Sequence, residues 1–80
     1  MFEIFWSPAA EWALRAMPWR DAAKVDAAVQ EFARNGTGAV FRVYANDPRS
    51  LRLKVSNYFV RMTLDPETLT LTVILVFRTT

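Results

Sequence analysis

The sequence predicts one small α+β domain: an N-terminal strand, a helical hairpin, then a four-stranded antiparallel meander, in the order β-α-α-β-β-β-β. Three observations predict it. Apolar residues recur at helical spacing between residues 8 and 34, and the period switches to two after Gly38. Turn-forming pairs punctuate the second half at short intervals. Eighty residues, 52% of them apolar and 14% aromatic, are enough for one compact core and too few for two domains, so residues 1–80 read as a single unit.

Residues 2–6 carry aromatic and β-prone side chains and predict a short strand. Ser7-Pro8 signals a helix start, with serine as N-cap and proline at the first helical position. The first helix is expected to run to about Met17, with Trp12, Ala13, Ala16 and Met17 as its apolar stripe, until Pro18 interrupts it. A second helix is expected over 19–34, with Ala22, Val25, Val29, Phe32 and Ala33 on one face. Asn35-Gly36 stops it, because both residues tolerate a left-handed conformation. Alternation then predicts strands over 39–45, 51–55, 58–64 and 69–78, separated by turns at 46–49, 56–57 and 65–68.

The chain has neither cysteine nor histidine. Disulfides and thiolate metal sites are thereby excluded, and the commonest general base and metal ligand are missing. No cofactor is expected. The N-terminus lacks a basic leader followed by an apolar stretch, and the most apolar run, 73–77, is too short to span a bilayer. A cytoplasmic protein without membrane partners is the expectation. The net charge is +2, unevenly spread: residues 1–35 sum to −1 and residues 36–80 to +3.

Sorting the strands by alternation gives two faces. Phe41, Val43, Leu51, Leu53, Val55, Tyr58, Val60, Met62, Leu64, Leu69, Leu71, Val73, Leu75 and Phe77 form the face expected to pack on the helices. Arg42, Tyr44, Arg52, Lys54, Phe59, Arg61, Thr70, Thr72 and Arg78 form the other. Polar residues on a wet sheet face are ordinary, and lysine or arginine there also discourages aggregation. Five cations with interleaved aromatics and no carboxylate are, equally, what a polyanion requires: cations neutralise phosphates and aromatics stack on bases. From these residues alone the two readings weigh about the same. Trp6, Trp12 and Trp19 are expected in the core, with an exposed groove for a partner segment as the alternative.

Leu51-Arg52-Leu53-Lys54-Val55-Ser56-Asn57-Tyr58-Phe59-Val60-Arg61, then Asp65, then Val73-Ile74-Leu75-Val76-Phe77-Arg78, resembles the RelE/ParE superfamily, the toxins of type II toxin–antitoxin pairs. The resemblance covers the element order of nearly the whole chain and, residue by residue, only about 51–78. It implies a ribosome-dependent mRNA endoribonuclease in which basic side chains hold the scissile phosphate. Arg52, Lys54, Arg61 and Arg78 are the implied catalytic residues; Arg42, Tyr44 and Phe59 are the implied RNA contacts. A cognate antitoxin is the implied partner. The sequence departs from the family where Phe59 stands in place of the arginine after the turn tyrosine, with Arg61 as a substitute. It also departs at the C-terminus, where no tyrosine-bearing tail precedes Thr80 and Tyr44 is a conceivable replacement. These departures keep two alternatives open: a ParE-like inhibitor of DNA gyrase that hydrolyses nothing, and a non-toxic RNA- or protein-binding module.

Overall fold

The computed structural model describes residues 1–79. Its elements are β1 (Glu3–Trp6), α1 (Pro8–Ala16), α2 (Trp19–Asn35), β2 (Ala39–Tyr44), β3 (Asp47–Val55), β4 (Tyr58–Asp65) and β5 (Thr70–Arg78), in the expected order. The strands form one sheet, β1-β5-β4-β3-β2. The last four make the expected antiparallel meander, and β1 adds to it in parallel beside β5. Parallel pairing needs a long crossover, which the helical hairpin and the meander together supply. Both helices lie on one side of the sheet, α1 over β5 and α2 over β3.

The local causes of these elements are visible. The Ala10 N–H donates to Ser7 Oγ at 3.1 Å, which caps α1, and Pro8 occupies its first turn. Gly36 ends α2 at φ 72°, its N–H donating to Phe32 O at 2.8 Å. The core joins Val25, Val29, Phe32 and Ala33 of α2 to Leu53, Val60, Met62, Leu71 and Val73 of the sheet, all buried. Burying each large side chain stabilises the fold by about 1.5–3 kcal/mol before chain entropy is counted.

Several expectations are corrected. The buried side of α1 is Ala10, with Ala13, Leu14 and Met17 partly buried beside it. Trp12 lies two residues from Ala10, roughly 200° around the helix, and is 72% exposed. Trp19, at the first position of α2, is 75% exposed; only Trp6 packs against the core. β3 begins at Asp47, in what was expected to be a turn. The Asp47 carboxylate accepts from the Arg49 N–H and the Ser50 hydroxyl, both at 2.9 Å. Pro48 precedes Ser50, where pairing with β4 starts, and lies within a register shift against β2, so its missing N–H interrupts no ladder.

The largest correction concerns β5. Arg61 pairs with Leu75 but Met62 pairs with Val73, so Ile74 is an extra residue in a bulge. The Ser7 hydroxyl donates to the Ile74 carbonyl, and the Ser7 N–H donates to Val73 O at 2.9 Å. Past the bulge the faces swap: Val76 is buried, while Leu75 and Phe77 turn outward and are 40% and 38% exposed. At the other edge, Val40 stands opposite Leu53 and faces the helices, and Phe41 stands opposite Arg52 and is 48% exposed. Leu69, expected in the core, sits in the turn before β5 at φ 55° and is 53% exposed.

Two stability changes follow. Ser7→Ala removes both the helix cap and the tether of the bulge, and is expected to cost about 1–2 kcal/mol in denaturant melts. Leu69→Gly relieves a left-handed conformation that disfavours a branched side chain by about 1–2 kcal/mol, less about 0.5–1 kcal/mol of added chain entropy. A net gain of up to about 1.5 kcal/mol, seen as a raised Tm, is expected; a lowered Tm contradicts the strain.

Candidate nucleic-acid interface

The side of the sheet opposite the helices carries three cross-strand rows, fixed by the strand register. One row is Ala39, Lys54, Phe59 and Phe77. The next is Phe41, Arg52, Arg61 and Leu75. The third is Ser50, Thr63, Thr72 and Phe5. Each row spans four strands.

Arg52 and Arg61 stand directly opposite each other on β3 and β4. Like charges in that relation are destabilising by a few tenths of a kcal/mol to about 1 kcal/mol. Among the described residues the only ion pair is Arg34–Glu31, on the far side of the molecule in α2, so neither arginine has a carboxylate partner. Arg61 is partly buried, and its Nε has no hydrogen-bond partner among the described residues. Instead of pairing with acids, the cations gather on an aromatic ring. Arg52 Cζ lies 4.8 Å and Lys54 Nζ 5.9 Å from the Phe59 centroid. Phe77 adjoins the same ring at 5.9 Å, tilted by 37°. A cation resting on an exposed ring gains about 0.5–1 kcal/mol, less than a charge-assisted hydrogen bond to an anion gives.

The expectation of an all-cationic face needs two corrections. Register places Arg42 opposite buried Leu51 and Arg78 opposite buried Tyr58, both on the helix side. Arg42 Nη1 donates to Ala45 O at 3.3 Å at the sheet edge, and Arg78 Cζ lies 6.0 Å from the Tyr58 ring. Tyr44 stands opposite Asp47 beyond the register shift, at the hairpin end and away from the arginine pair. The open face is also not free of acids, because Asp65, Thr70 and Glu3 form a fourth row on it. Asp65 is four residues along β4 from Arg61, or about 13 Å, which exceeds the screening length of about 8–10 Å. Its carboxylate is engaged by the turn: hydrogen bonds from the Glu67 and Thr68 N–H groups, the Glu67 bond foremost, hold it below the usual carboxylate range.

The structure therefore brings Arg52, Lys54, Phe59 and Arg61 together, adds Phe41, Leu75 and Phe77, and leaves out Arg42, Tyr44 and Arg78. The signal that could have found Phe77 is the loss of alternation. Thr70 and Thr72 alternate with apolar residues, then residues 73–77 run apolar without interruption, as a strand with an inserted residue does. On the helix side, Arg78 and Tyr58 border a cleft of about 270 Å³ against Ala13, Ala16, Met17 and Pro18. Here the Tyr58 hydroxyl donates to Asp21 Oδ2 at 2.8 Å. Among the described residues no group of three or more acidic, histidine or cysteine side chains gathers as a metal site, and no helix is long and apolar enough to cross a membrane.

A helical hairpin laid on one side of a β1-β5-β4-β3-β2 sheet, with the other side open, is the fold of the RelE-type toxins. The archaeal RelE–RelB complex from Pyrococcus horikoshii OT3 is similar with a TM-score of 0.84 at 10% identity, over 98% of this chain and 94% of that one. The isolated E. coli RelE toxin is similar with a TM-score of 0.79 at 13% identity, over 100% of this chain and 86% of that one. The RelBE2 toxin–antitoxin complex of Mycobacterium tuberculosis is similar with a TM-score of 0.72 at 20% identity, over 96% of each chain. At these identities the likeness is one of fold. No family model and no curated protein matches the sequence.

The Tyr58–Asp21 hydrogen bond has a measurable consequence. With burial and the Asp21 charge in support, it pushes the phenol above its ordinary value. The folded state then keeps the proton longer than the unfolded state does. The resulting stability is present below the unfolded value near pH 10 and is lost as pH rises through the folded one. Alkaline melts of the native chain are expected to fall more steeply above about pH 10 than those of Tyr58→Phe. Parallel curves count against the coupling.

Proposed function

We propose that this chain is the toxin of a toxin–antitoxin pair and acts as a ribosome-dependent mRNA endoribonuclease through the open sheet face. The observation that carries the reading is the Arg52–Arg61 pair: two arginines directly opposite each other in the strand register, without a carboxylate partner among the described residues, one with an unpartnered Nε. Such a pair adds nothing to stability; a phosphodiester placed between the two removes the repulsion and accepts from the exposed Arg52 guanidinium. The fold's likeness to toxins solved with their antitoxins supports a cognate antitoxin as partner.

The reaction is attack of a 2′-hydroxyl oxygen on the adjacent phosphorus. The 2′-hydroxyl proton leaves to solvent water, a P–O2′ bond forms, the P–O5′ bond breaks, a proton passes to the departing 5′ oxygen, and its donor is reprotonated from solvent. Arg52 and Arg61 stabilise the charge that builds on the phosphorane oxygens. Lys54, one row away, protonates the leaving oxygen. Arg78 and Arg42, on the helix side, stay outside this step.

The test is induction in bacteria with and without an antitoxin encoded beside it, followed by mapping of transcript ends. Growth arrest with new ends inside translated regions is expected. Intact transcripts with lost supercoiling point instead to gyrase inhibition, and harmless expression to a binding module. Arg52→Gln separates function from folding. It removes one like-charge contact and one cation–π contact of similar size, so stability is expected to change by less than about 0.5 kcal/mol. Cleavage is expected to fall by roughly 10²–10³.

A further inference from the structure

We propose that Phe59 and Phe77 form a subsite for one unpaired nucleobase, next to the phosphate position between Arg52 and Arg61. The inference rests on the phosphate reading of the open face and assigns what that reading leaves unexplained: why the face is half apolar. A one-sided antiparallel sheet ordinarily turns polar residues to water. Here Phe5, Phe41, Leu75 and Phe77 are 51%, 48%, 40% and 38% exposed on the side that no helix covers. Phe77 reaches this side only through the bulge at Ile74, and it arrives directly opposite Phe59.

The placement selects the ligand. Phe59 and Phe77 lie one row from Arg52 and Arg61, about 7 Å along the strands, within the span between a base and the phosphate of its own nucleotide. Arg52 and Lys54 both rest on the Phe59 ring, and a phosphate draws them off it and uncovers the aromatic surface. A base in a duplex has both faces occupied by its neighbours, so a single-stranded nucleotide is the species that fits. Because any base offers a π face, the subsite tolerates all four.

The experiment uses two 2′-O-methyl pentanucleotides, which cannot be cut. One carries a central 2-aminopurine, the other an abasic residue at that place. Affinities for the full chain are measured at low salt. The intact oligonucleotide is expected to bind on the order of tenfold more tightly than the abasic one, with quenching of the 2-aminopurine on stacking. Phe77→Leu, which keeps apolar volume, is expected to lower intact binding to the abasic level and leave abasic binding unchanged; Phe77→Tyr is expected to restore the difference. Equal affinities that still depend on Arg52 and Arg61 overturn the base subsite and leave the phosphate reading standing. If neither oligonucleotide binds, both fall.

Discussion

The bulge at Ile74 is the constraint on which the geometry of this protein depends. β5 touches β1, β4 and α1 together, and the inserted residue changes which of its side chains face inward. Before it, Leu71 and Val73 fill the core; after it, Val76 does. A regular strand would have sent Leu75 and Phe77 under α1 and left Val76 outside. The inserted residue is held rather than tolerated. Ser7 caps α1 with its Oγ, donates its hydroxyl proton to the Ile74 carbonyl, and gives its N–H to Val73. One side chain thus fixes the start of the first helix and the phase of the last strand.

The open face is organised by what it lacks. A sheet surface selected for stability would pair Arg52 or Arg61 with an acid, as the Asp47 and Asp65 turns pair their carboxylates with N–H groups. The acids are instead either spent in turns or placed beyond the screening length. Phe59 then does for Arg52 and Lys54 what a carboxylate would do more strongly: it holds them over the sheet, and on the proposed reading the weaker hold suits release to a phosphate. The strength ordering matters, because an arginine already committed to a carboxylate would have to break that bond before meeting a phosphate. A guanidinium parked on a ring does not.

How much of this was legible in the sequence follows from which signals are local. Ser7-Pro8, Asn35-Gly36 and the apolar face of α2 are local, and the structure has them where the spacing put them. The meander from Leu51 to Leu64 alternates without fault, so Arg52, Lys54, Phe59 and Arg61 were sorted to one side correctly. Errors arose where a face depends on an irregularity or on a distant partner. Arg78 and Phe77 were exchanged by the Ile74 bulge, and Phe41 and Arg42 were misplaced where β2 shifts register. Trp12 was misread because a large apolar residue at helical spacing fits two overlapping stripes. Only packing decides between them, and the small Ala10, not the tryptophan, meets the sheet. The parallel addition of β1 to β5 is non-local in the fullest sense, since no feature near residue 3 names its partner near residue 70.

These exchanges divide the basic residues into two groups with different surroundings. Arg52 and Lys54 lie over the Phe59 ring, and Arg61 shares their open face. Arg78 faces the cleft, beside a phenol committed to Asp21 and under an α1 surface of alanines. Charge of one sign therefore reaches both sides of the sheet, from β3 and β4 on the open side and from β2 and β5 on the helix side, and on the open side it lies beside the exposed rings of Phe41 and Phe77. Guanidinium and ammonium groups act on phosphate through charge and geometry, and a chain without histidine has little else to act with. In the proposed reaction, catalysis of that kind depends on a rigid backbone beneath the cations. A sheet whose phase is locked at Ile74, and whose opposed arginines sit on adjacent central strands, supplies that rigidity from backbone pairing rather than from loops.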